Sequence, residues 1–206
     1  LFSKLLRWLT GEAEDPIDSD MKYLIAGLGN MHPDYDGTRH NVGFEVVDLI
    51  AQDHNGQFKN DTLGDIAMIK HKGRQIYLLK PSTYMNLSGK SVRYWIQKLK
   101  IPVSNALVVV DDINLDFGTL RLRGKGAHGG HNGLKDIEKM LGTNKYSRLR
   151  VGIGNEFGRG QQVDYVLGQW TSEEMDQLGE ILSRSSEACL SFCSIGLSHT
   201  MNKYNG

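Results

Sequence analysis

The strongest constraint in this chain is one uninterrupted apolar run, Ala106-Leu107-Val108-Val109-Val110, which stops abruptly at Asp111-Asp112. Alternation would mark a strand with one wet face, whereas a continuous run marks a strand covered on both faces. The run therefore predicts the central strand of a sheet packed between helices, with two carboxylates at its carboxyl end. Tyr23 to Ala26, closed by Gly27, reads as a second buried strand, and the apolar positions 42, 46, 47, 50 and 51 that follow have helical spacing. Residues 65 to 80 alternate about His71-Lys72-Gly73-Arg74 and predict an antiparallel hairpin. Val92, Trp95, Ile96 and Leu99 return to helical period before Pro102.

Beyond the central run, a short alternating stretch carries Leu120 and Leu122. A glycine-rich loop, a helix from Leu134 to Leu141, a strand at Leu149, Val151 and Ile153, and a short strand at Val163 to Leu167 follow. The last long element, Ser172 to about Gly196, is amphipathic. Strands alternating with helices plus one hairpin predict an α/β fold: a single domain with a mixed parallel and antiparallel sheet and helices on both faces. With 206 residues, 39% of them hydrophobic, the chain can build one self-sufficient core. The domain is expected to span 21–206. Residues 1–20 read as an appendage: Leu1, Phe2, Leu5, Leu6 and Leu9 form a helical stripe beside Lys4 and Arg7, followed by an acidic linker from Glu12 to Asp20. The stripe is too short and interrupted for a secretory signal and lacks a small-residue cleavage site.

No apolar run reaches the roughly 20 residues of a membrane span. Lys and Arg total 24 against 24 Asp and Glu, so a polyanionic partner has to be met by a local patch. Cys189 and Cys193, four apart on a helix, read as small buried residues in a reducing cytoplasm, with no third ligand nearby to suggest a metal. The expectation is a soluble, cytoplasmic monomer that needs no cofactor.

In open α/β sheets the chemistry collects beyond the carboxyl ends of the strands. Three polar clusters fall there: Gly27-Leu28-Gly29-Asn30, Asp111-Asp112, and Gly126 through Gly133. The first is not a dinucleotide fingerprint, because the third glycine of that pattern would fall on His32. Thr38 can cap the first helix, with Asn41 in its first turn and His40 beside it. Asp111 can orient His40 as a general base if the fold brings them together; otherwise it is a loop-capping carboxylate. There is no Gly-x-Ser-x-Gly elbow, no cysteine near a strand end, and no compact zinc motif, so water is the expected attacking group.

Seven segments occur in an order that resembles bacterial-type peptidyl-tRNA hydrolases. They are Gly27-Leu28-Gly29-Asn30, Tyr35, Thr38-Arg39-His40-Asn41, Tyr84-Met85-Asn86-Leu87-Ser88-Gly89, Val110-Asp111-Asp112, His128-Gly129-Gly130-His131-Asn132-Gly133-Leu134, and Arg148-Leu149-Arg150-Val151-Gly152-Ile153-Gly154. The resemblance covers about residues 21 to 200. It implies cleavage of the ester between peptide and tRNA, with His40 activating water, Asp111 orienting it and Asn30 beside the reacting ester. Asn86 and Asn132 would hold the peptide backbone and the tRNA 3′ end, and Tyr35, Met85 and His131 would line the same groove. The family usually has Asn-Pro-Gly where this chain has Asn30-Met31-His32-Pro33, which predicts a differently shaped turn.

Given that resemblance, Arg121, Arg123, Lys125, Arg148 and Arg150 are the expected local patch for tRNA. Residues 121 and 123 share a strand face, as do 148 and 150. Two rival readings stay open on the sequence: an RNA-binding relative of the same fold without hydrolysis, and a nucleotide-binding oxidoreductase.

Overall fold

The computed structural model describes residues 21–206, and the expected appendage lies outside the described residues. Seven strands form one mixed sheet: β1 (Lys22–Gly27), β2 (Lys59–Asp61), β3 (Gly64–His71), β4 (Arg74–Pro81), β5 (Ala106–Asp112), β6 (Leu120–Arg123) and β7 (Ser147–Gly152). Their order is β2-β3-β4-β1-β5-β7-β6. Strands β4, β1, β5 and β7 run parallel; β2, β3 and β6 add antiparallel edges. The predicted hairpin is β3–β4. The middle place goes to β1 rather than to β5, which lies beside it and is buried along its whole length.

Six helices cover the sheet: α1 (Val42–Asp53), α2 (Ser88–Leu99), α3 (Asn132–Leu141), α4 (Gln162–Val166), α5 (Ser172–Ile195) and α6 (Leu197–Tyr204). Period-two alternation splits the core into two layers. Ile25, Leu107 and Val109 turn toward Val46, Ile50 and Phe192 of α1 and α5. Leu24, Val108 and Val110 turn toward Trp95, Leu134 and Ile137 of α2 and α3. Each fully buried Leu or Ile contributes about 1.5 to 3 kcal/mol. Contact between α1 and the end of β1 depends on two glycines: a Cβ on Gly27 would stand 2.0 Å from the Gly43 carbonyl oxygen, and one on Gly43 would stand 2.4 Å from the Leu28 nitrogen. This close approach brings the residues before α1 over the strand ends.

Two sequence expectations are corrected. Residues 163 to 167 are not a strand: Gln162–Val166 is a helical turn, α4, whose three-residue spacing turns Val163 and Val166 to one cavity. Thr38 does not cap the first helix; its hydroxyl donates to the Tyr35 carbonyl, and Asn41 stands at the α1 N-cap with its side chain turned elsewhere. No helix among the described residues is long and apolar enough to cross a membrane.

Candidate active site

A cavity of about 460 Å³ opens above the carboxyl ends of the parallel strands, lined by Asn30, His40, Met85, Asp111, His131 and Asn132 among others. Asp111, the penultimate residue of β5, is 4% exposed. Its Oδ1 lies 2.9 Å from His40 Nδ1 and 3.0 Å from His131 Nε2. His40 sits in the one-turn 3-10 segment before α1, and His131 is the N-cap of α3. Separate elements, 71 and 20 residues away in sequence from Asp111, therefore meet on one oxygen.

The hydrogen bonds determine where the protons are. His131 Nδ1 accepts from the backbone N–H groups of Gly133 (3.1 Å) and Leu134 (3.3 Å), the free donors of the first helical turn. An imidazole nitrogen that accepts carries no proton, so the proton of neutral His131 is on Nε2, where it is donated to Asp111. His40 donates from Nδ1 to the same carboxylate oxygen, which leaves its Nε2 as a lone pair. Burial works against an ionised Asp111, but the two imidazoles outweigh it and hold the carboxyl well below its usual range. Burial likewise opposes charge on His40, and the Asp111 charge and hydrogen bond overcome it, raising the His40 pKa above 6.5.

Asp112 plays a different part. Its Oδ1 accepts from the backbone and side-chain nitrogens of Asn114, and its Oδ2 faces Arg150 Nη1 at 3.1 Å, so it holds the following loop. Of the two adjacent carboxylates, only Asp111 reaches the histidines.

Asn30 is fixed three times. Its backbone N–H donates to Asn41 Oδ1 (2.8 Å), its carbonyl accepts from Asn41 Nδ2 (3.0 Å), and its side-chain Oδ1 accepts from the Met85 N–H (3.1 Å). With Oδ1 engaged, its Nδ2 is the group left to donate into the cavity. Met31-His32-Pro33 builds a tight turn in which His32 Nδ1 accepts from the Asp34 N–H, and Asn30 keeps its place in the cavity wall. Asn86 and Asn132 are exposed on that wall and Met85 is buried behind it. Tyr35 is not among the lining residues; its ring faces His32.

Arg121 and Arg150 pair across β6 and β7, as do Arg123 and Arg148. Arg123 and Lys125 are exposed and Arg121 and Arg150 half-buried, but Arg148 departs from the expected patch: it is 1% exposed. Its guanidinium donates to the carbonyls of Gly126 (2.8 Å) and Asn144 (2.9 Å), meets Glu138 at 3.2 Å and lies 4.0 Å over the Tyr146 ring. Those acceptors converge only in the folded chain, which is why strand alternation alone placed Arg148 in solvent. Sequence reasoning also missed Asn41 as the support of Asn30, and α4, whose Gln162, Val163 and Val166 wall the cavity. The neighbouring His40 was the sole cue to Asn41; for α4 the two valines and a tyrosine imitated a strand.

A family profile described as peptidyl-tRNA hydrolase matches residues 24–206. A peptidyl-tRNA hydrolase of Phocaeicola vulgatus is 55% identical over 185 residues, covering 90% of this chain and 99% of that protein. One of Clostridium botulinum is 44% identical, covering 89% and 97%. A crystal structure of peptidyl-tRNA hydrolase from Acinetobacter baumannii superposes with a TM-score of 0.84 at 34% identity, covering 91% of this chain and 96% of that one. Near-complete coverage in sequence and fold leaves one conclusion: the chain belongs to the peptidyl-tRNA hydrolase family and is a hydrolase.

Proposed function

We propose that this enzyme hydrolyses the ester joining a peptide to the terminal ribose of tRNA, by His40-assisted attack of water and without a metal. The single observation that carries the reading is the proton arrangement at Asp111: one carboxylate oxygen takes Nδ1–H of His40 and leaves Nε2 free as a base. Nε2 removes a proton from water as the water oxygen bonds to the ester carbonyl carbon. The carbonyl oxygen becomes an oxyanion, for which the Nδ2–H of Asn30 in the cavity wall is a fixed donor. When the intermediate collapses, the carbon–oxygen bond to the ribose breaks and the imidazolium returns its proton to the departing ribose oxygen. Asp111 stays ionised and stabilises the imidazolium.

Three groups at the centre, His40, Asp111 and His131, have the residue types of a metal site. The bonds oppose that use, because the His40 and His131 nitrogens facing Asp111 both carry protons and neither offers a lone pair. Asn86 and Asn132 bind amide and ribose groups without selecting a side chain, which suits assorted peptides. Arg121, Arg123, Lys125 and Arg150 meet tRNA phosphates, so binding is salt-sensitive and largely independent of tRNA sequence. Arg148 supports the loop beneath them.

The test is release of tRNA from a model peptidyl-tRNA, with and without chelator, by the wild-type protein and by His40→Ala. Turnover by the wild type that survives chelation and is lost in the variant, with tRNA binding retained, is the expected result. Near-normal turnover by His40→Ala removes the mechanism; tRNA binding without turnover by the wild type returns the RNA-binding reading.

A further inference from the structure

Helix α4 forms one apolar side of the cavity through Val163 and Val166, with Leu167 beyond it, yet it is lightly anchored. None of its five residues is buried, and an isolated turn of that length has no stability of its own. Its attachments are therefore informative. The Tyr165 hydroxyl donates to the Ile153 carbonyl at 2.6 Å. Tyr165 and Val166 pack partly against the main core, and the Tyr165 ring lies 4.8 Å from that of Phe157. A further set of contacts converges on Arg39, the residue before His40. The Arg39 backbone N–H donates to the Gly168 carbonyl (3.1 Å) and its Nη1 to the Tyr165 carbonyl (3.3 Å). Its guanidinium carbon lies 4.5 Å over the Tyr165 ring and 5.5 Å from the Trp170 ring. Nε and Nη2 meet the two oxygens of Glu174 at 3.2 and 2.5 Å. Glu174 is itself held at the start of α5, where its side chain accepts from the Thr171 N–H and its own N–H donates to Thr171 Oγ1.

Arg39 is 5% exposed and does not line the main cavity, so it cannot act on substrate directly. It joins three things: the turn that carries His40, the wall α4, and the first turn of α5. The geometry points to Arg39 as a positioning residue that holds α4 against the His40 turn and thereby sets how tightly the peptide part of the substrate is bound. The inference rests on the proposed peptidyl-tRNA substrate. Lysine cannot replace this function, since a single ammonium cannot engage both Glu174 oxygens and the Tyr165 carbonyl while stacking on two rings.

The experiment compares wild type with Arg39→Lys and Glu174→Gln, each confirmed folded by circular dichroism. kcat and KM are measured on peptidyl-tRNA, and amide hydrogen exchange at residues 163–168 is compared with that in β5. If the wall is in place only a tenth of the time, apparent affinity falls about tenfold. The expected result for Arg39→Lys is thus a KM rise of about tenfold with kcat within about threefold, and faster exchange confined to 163–168. Glu174→Gln, which keeps one acceptor oxygen, should show a smaller rise, and it decides the matter alone if Arg39→Lys does not fold. Unchanged KM and exchange in the folded variants overturns the inference. So does a fall in kcat at constant KM, which would give Arg39 the placement of His40 instead. Failure of the wild type to turn over peptidyl-tRNA sinks the parent reading, and the exchange comparison still reports on the hold of Arg39 on α4.

Discussion

The two helices that wall the cavity are held in opposite ways. Helix α3 is anchored throughout: Leu134 and Ile137 are fully buried, His131 caps its first turn, and its Asp136 accepts from the Gly89 N–H at 2.8 Å. Its backbone lies so close to α2 that a Cβ on Gly89 would stand 2.4 Å from the Asp136 carbonyl oxygen. Helix α4 has no fully buried residue: Tyr165 and Val166 pack only partly against the core, and its tertiary hydrogen bonds come from the Tyr165 hydroxyl and from Arg39. The hydrogen-bonded groups of the proposed mechanism, His131 through Asp111 to His40, sit on the rigid side, and Val163 and Val166 add an apolar wall on the lightly held side. That division suits a substrate in which the ester is constant and the peptide varies. On the proposed mechanism, fixed geometry would serve the invariant bond, and an element of low local stability would adjust to the variable part.

The largest test of this contrast is at the rigid side. Asp111→Asn should lower kcat/KM by about 10²- to 10⁴-fold, because the amide no longer fixes the His40 tautomer or steadies its charge. A KM effect alone would show that Asp111 is not part of the chemistry. Next comes Arg148, whose removal strands a paired, largely buried Glu138 and frees the loop carrying His131. Arg148→Met should destabilise the fold by about 3 to 5 kcal/mol in urea unfolding. A stability change near zero with weakened tRNA binding would restore Arg148 to the phosphate-contacting patch.

A pH profile sharpens the comparison further. The proposed mechanism needs His40 neutral, and its pKa is raised above 6.5 by Asp111, so the acid limb of kcat/KM should have its midpoint above 6.5. In Asp111→Asn, any residual activity should have that midpoint moved downward. For stability the sign is opposite: the raised His40 pKa contributes stability fully present below 6.5 and lost as pH rises through the folded value. An acid limb at or below 6.5 would mean Asp111 does not charge-stabilise His40 in solution. The smallest effect is expected at Val163, which is 63% exposed on the soft wall. Val163→Ala should change stability by less than about 0.5 kcal/mol and alter KM, not kcat, for substrates with apolar peptide side chains. A large loss of stability there would show that α4 is not lightly held.

Local pattern carried much of the fold. The unbroken run into Asp111 and the hairpin at 65 to 80 were legible because strand and helix periods are written in neighbouring residues. The short strand Lys59–Asp61 and the helix Leu197–Tyr204 were not, since the first has three exposed residues with no apolar pattern and the second follows a glycine stop after a long helix. The sequence by itself determined the layer architecture and the residue types at the strand ends. Only the tertiary structure decided which partners each of those residues meets. It brought His40 and His131 onto one oxygen of Asp111, put a proton on each facing nitrogen, turned Asn41 to support Asn30, and withdrew Arg148 from solvent. The physical reason is range: periodicity reports which way a side chain points, whereas tautomers, pKa shifts and buried charges depend on partners that meet only when distant segments pack.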